Sequence, residues 1–69
     1  DLAGAEAAYR QALRPAPDNA MAVYNLAIVQ EKQGRLREAL RLYRRFDRMT
    51  SGARHAEIEG ILRQIEARL

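Results

Sequence analysis

The same helical phrase occurs twice in this chain, 34 positions apart. Leu2, Ala5, Tyr9 and Arg10 return as Leu36, Ala39, Tyr43 and Arg44. No other feature limits the fold as much. A repeat of this length marks stacked helical hairpins, in which no single unit buries its apolar face alone. Arrays of this kind present surfaces to partners and seldom carry reaction chemistry.

Spacing along the chain predicts four helices and no strand. Asp1 to Arg14 is alanine-rich and sets Leu2, Ala5, Tyr9, Ala12 and Leu13 at helical intervals. Pro15 and Pro17 end it, because neither donates a backbone hydrogen bond and each restricts the residue before it. Asp18 or Asn19 is then placed to cap a helix from Ala20 to Gln33. That helix is apolar on two sides, with Val23, Leu26 and Ala27 on one and Met21, Tyr24 and Ile28 on the other, the pattern of a helix held between neighbours. Gly34 supplies the left-handed residue that ends it. A third helix, Arg35 to Met49, buries Leu36, Ala39, Leu40, Tyr43 and Phe46. Thr50, Ser51 and Gly52 break the pattern, with Ser51 read as a cap for the last helix. That helix, Ala53 to Leu69, sets Ile58, Ile61, Leu62, Ile65 and Leu69 on one face. The expected fold class is all-α, an antiparallel helix-hairpin repeat.

These residues resemble the tetratricopeptide repeat (TPR). Asn25-Leu26-Ala27 is similar to the family's N-L-G/A in the first helix of a unit. Gly34, Glu38-Ala39 and Tyr43 are similar to its G-x-x-x-E-A-x-x-x-Y. The resemblance implies one complete unit over residues 20–53, preceded over residues 1–19 by the second helix of another. Residues 54–69 then form a C-terminal capping helix that closes the stack, as the end of such an array requires. The pentatricopeptide repeat shares some of these residues, but the nine positions from Asn25 to Gly34 suit the TPR. Three departures stand out. Gln30 occupies the site of a large residue, which predicts looser packing against the preceding helix; Phe46 replaces an alanine; and Ser51 stands where a proline is usual.

Composition narrows the function further. Sixty-nine residues make one small domain. There is no cysteine for a disulfide or thiolate site, a single histidine, His55, and no apolar run long enough to span a membrane. Asp1 already lies inside a helical pattern with no leader before it, so the reading expects the C-terminal piece of a longer repeat protein, and no compartment is legible. No cofactor or metal motif is present. Ser51 and His55 are the sole nucleophile–base spacing, without an orienting acid or oxyanion motif, so no catalytic residue is assigned.

The resemblance implies that partners bind a groove lined by the first helix of each unit, which assigns Met21, Tyr24, Asn25, Ile28 and Lys32, with Glu31 beside them. The expected function is protein–protein interaction, with a protein or peptide as partner. Two alternatives stay open. Leu2, Tyr9 and Leu13 leave an apolar edge that could drive homo-oligomer formation. Arg37, Arg41, Arg44, Arg45 and Arg48 form a basic surface that could meet RNA or an acidic partner, consistent with a net charge of +3. No exposed aromatic is interleaved with them for base stacking, so a solvated face is the reading preferred to nucleic-acid binding.

Overall fold

The computed structural model describes residues 1–69. It has four helices: α1 (Leu2–Leu13), α2 (Ala20–Lys32), α3 (Leu36–Met49) and α4 (His55–Arg68). Each packs against the next in chain order, giving a slab of 30 × 27 × 14 Å. The shortness of the connections makes neighbours antiparallel. No helix is long and apolar enough to cross a membrane.

Local chemistry sets each boundary. Asn19 caps α2: its Oδ1 accepts the Ala22 amide at 3.1 Å. At the other end Gly34 adopts φ 80°. Its amide donates to Glu31 O and that of Arg35 to Gln30 O, at 3.0 and 2.9 Å. This is the paired Schellman closure. The same closure ends α3, where the Ser51 amide donates to Arg48 O and the Gly52 amide to Asp47 O. Here the left-handed residue is Ser51, at φ 53°. Ser51 therefore terminates α3 rather than capping α4. The Arg54 position begins α4 without a side-chain cap. Proline, the usual residue at this point in the repeat, cannot reach a positive φ.

The core joins α2, α3 and α4 through Val23, Ala27, Ala39, Leu40, Tyr43, Phe46, Ile58 and Ile65. Ala27 and Ala39 are fully buried, so two backbones approach closely where larger side chains would hold them apart. No residue of α1 is fully buried. Leu2 is 39% exposed, while Tyr9 and Leu13 are half-buried. At the opposite end Leu69, expected on the apolar face of α4, lies beyond the helix and is 58% exposed.

A polar clasp holds α1 in place. Glu6 on α1 accepts hydrogen bonds from Gln33 Nε2 at 3.1 Å and Gln30 Nε2 at 3.2 Å. Arg10 and Arg35 lie 2.9 and 3.4 Å from its Oε2. Gln30 is completely buried. Gln30 is enclosed at the position where a large apolar residue is usual, because its amide reaches a carboxylate that the periodicity of α1 had not singled out.

Candidate functional site

On α2, Met21, Asn25, Ile28 and Lys32 follow the spacing i, i+4, i+7, i+11. At 3.6 residues per turn these positions fall within an arc of about 60°. They form one stripe. Met21 is 54% exposed, Lys32 is exposed, and Asn25 and Ile28 are half-buried. Neither the Asn25 amide nor the Lys32 ammonium is engaged by a side-chain hydrogen bond or ion pair within the chain.

Two neighbouring residues are already committed to the fold. The Tyr24 ring packs at 4.9 Å from Phe46 and edge-on at 5.8 Å from Tyr43. The Arg54 guanidinium covers it at 5.3 Å, within cation–π range. Its hydroxyl donates to Glu57 on α4 at 3.4 Å. Tyr24, which the resemblance assigned to the groove, instead lies about 40° beyond Ile28 at the edge of the stripe and turns toward the start of α4. Glu31 is similarly occupied. It accepts from Tyr43 Oη at 3.0 Å and pairs with Arg68 at 3.4 Å, linking α2, α3 and α4. Burial first, and then this carboxylate, push the Tyr43 phenol well above its ordinary range. Tyr43 thus stays neutral and donates.

The five arginines of α3 separate into two groups. Arg37, Arg41, Arg44 and Arg48 also follow i, i+4, i+7, i+11 and form a narrow stripe beside α4. With Leu40 and Leu69 they line a cleft of about 330 Å³. Arg45 lies elsewhere, because eight positions from Arg37 is about 80° around the helix. It is half-buried, and its guanidinium donates to the Pro17 carbonyl at 2.6 Å, tying the α1–α2 loop to α3. Within the stripe Arg41 pairs with Glu38 at 3.0 Å and Arg44 with Glu66 at 3.2 Å. Arg37 and Arg48 have no ion-pair partner.

His55 is solvent-exposed and bracketed by two acids. Its Nδ1 lies 2.8 Å from Asp47 and its Nε2 2.9 Å from Glu59. The Asp47 hydrogen bond is the main cause that raises its pKa, with Glu59 adding to it. Both ring nitrogens face carboxylates, and the Ser51–His55 pairing weighed from spacing is not formed.

A family model described as tetratricopeptide repeat matches residues 1–60. The chain belongs to the tetratricopeptide repeat family. No curated protein and no solved structure matches it. The match runs through α1, α2 and α3 and into the first part of α4. TPRs generally mediate protein–protein interaction. Within this TPR chain the small residues Ala27 and Ala39, the turn residue Gly34 and the aromatic Tyr43 all occupy packing or turn positions. Two residues that sequence spacing did not assign, Glu6 and Arg54, hold α1 and the Tyr24 ring. Glu6 lies in an alanine-rich segment where only its i, i+4 relation to Arg10 marked it.

Proposed function

We propose that this TPR chain is a protein-binding module that docks a peptide segment of its partner on the outer stripe of α2. One observation carries the reading: Met21, Asn25 and Lys32 keep their apolar surface and hydrogen-bonding groups uncommitted, whereas adjacent Tyr24 and Glu31 are consumed by contacts within the chain. A partner would bury the Met21 thioether and the open side of Ile28, while Asn25 and Lys32 hold backbone carbonyls or a carboxylate. In the proposed frame, residues 20–53 are the complete unit, residues 1–19 supply the second helix of a preceding one, and residues 54–69 close the stack. The outward side chains of α4, including Arg63, Gln64, Glu66 and Ala67, are exposed, which suits a closing helix.

Affinity capture with the native chain, a Met21→Glu, Asn25→Asp variant and a variant at an exposed position outside the stripe, Gln64→Glu, tests this. The expected result is a set of partners retained by the native chain and Gln64→Glu but lost from the double variant. Identical sets from all three would refute the stripe as the docking site.

A second reading rests on α1. With no fully buried residue and Leu2 39% exposed, its outer edge is suited to another copy of the chain. Sedimentation that shows a monomer at the highest soluble concentration would remove this reading.

A further inference from the structure

The cleft beside Arg37 and Leu69 continues into a second one lined by Gly34, Arg35, Leu36, Arg37, Glu38 and Leu69. Because the two share Arg37 and Leu69, a single trough runs along α3 beside the C-terminal end of α4. Its polar wall has five arginines against one glutamate. Its apolar side is a short rail made by Leu69, which is 58% exposed, and the half-buried Leu36, with the buried Leu40 at the floor. From Arg37 to Arg48 the stripe rises about 16 Å, three turns of helix.

From this arrangement we propose a second docking surface, separate from the α2 stripe, that receives an acidic amphipathic protein segment. Carboxylates of the segment meet Arg37 and Arg48, and its apolar side chains lie on Leu36 and Leu69. The chain itself shows the preferred ligand chemistry, since Glu38 and Glu66 already place carboxylates on Arg41 and Arg44. Guanidinium groups pair with such planar acids through fixed, directional donors. Two features favour a protein segment over RNA. The leucine rail matches nothing in a phosphate backbone. The rings of Tyr24, Tyr43 and Phe46 are packed together at the α2–α3 junction, so none is on this surface to stack a base.

Fluorescence anisotropy with the 69-residue chain tests the proposal. One probe is a fluorescein-labelled peptide of about 15 residues, helical in pattern, with glutamates on one stripe and leucines beside it. Others are the same peptide with serine for leucine and a labelled uridine oligonucleotide of similar length. The leucine–glutamate peptide should bind saturably, more weakly as salt rises. The Arg37→Glu, Arg48→Glu double variant should weaken it about fivefold or more, since each exposed pair contributes a fraction of a kcal/mol and reversal adds repulsion. Glu38→Gln, which frees Arg41, should tighten binding, a gain that loss of folding cannot produce. Gln64→Ala, an exposed position outside the trough, should leave it unchanged. The proposal fails if the double variant binds the peptide as the native chain does. Equal binding of the serine peptide would overturn the apolar contact, and tighter binding of the oligonucleotide would overturn the partner class.

Discussion

Gln30 is buried completely on α2 and donates its amide to Glu6 of α1 at 3.2 Å. This bond replaces apolar packing at the position where the repeat usually carries a large side chain. Its consequence is directional. A buried amide left without a partner is costly, whereas removal of both polar groups can be nearly neutral. Glu6→Ala should therefore destabilise the chain in the native background and do so less when Gln30→Leu is already present. Gln30→Leu also removes a buried carbonyl oxygen that has no partner, and alone it should change stability by less than about 1 kcal/mol. A urea-denaturation double-mutant cycle measures the coupling. Equal losses in both backgrounds would show that the two residues act independently.

Ser51 holds a left-handed conformation at φ 53° to close α3. Glycine adopts that geometry without the Cβ clash, so Ser51→Gly should stabilise by about 0.5–1 kcal/mol. Ser51→Pro, a change toward the family's usual residue, should destabilise by about 3 kcal/mol or more, because it fixes φ at the wrong sign and removes the amide that donates to Arg48 O. Thermal melts of the two variants should move in opposite directions; a more stable proline variant would contradict the assigned turn.

Two groups give stability opposite slopes with pH. The pKa of Glu6 is lowered, chiefly by the Gln33 hydrogen bond, then by Arg10, Gln30 and Arg35. Its contribution is present above the unfolded carboxylate value and is lost as pH falls through the folded one. The pKa of His55 is raised by Asp47 and Glu59 above its ordinary value of 6.5. Its contribution is complete below that value and is lost as pH rises through the folded pKa. Denaturation across pH should show both losses, with Glu6→Gln flattening the acid limb and His55→Gln the neutral one. An NMR titration that places the His55 midpoint at or below 6.5 would contradict the Asp47 bridge.

Met21 and Tyr24 lie three positions apart and should respond differently to the same substitution. Met21→Glu adds an exposed charge and should alter stability by less than about 0.5 kcal/mol. Tyr24→Glu breaks the packing with Tyr43 and Phe46 and sets a carboxylate near Glu57. It should cost about 2 kcal/mol or more. Circular-dichroism melts distinguish the two, and similar effects would mean that Tyr24 is not part of the junction.

The sequence by itself determined the repeat, the four helices, most of the apolar core and the Gly34 turn. Each depends on local periodicity or on the backbone freedom of one residue, which spacing reveals. The resemblance assigned Met21, Tyr24, Asn25, Ile28 and Lys32 to a groove, and helical phase, a local property, sets all but Tyr24 on one narrow stripe. Only the tertiary structure decided which of these side chains remain available. Tyr24 and Glu31 are taken up by α3 and α4, Arg45 is drawn to the Pro17 carbonyl, and Glu6 becomes the partner of a buried glutamine. These outcomes depend on which helix lies beside a given face and on where a long side chain finds an acceptor. Residues tens of positions apart set both, and no periodicity within one helix records them.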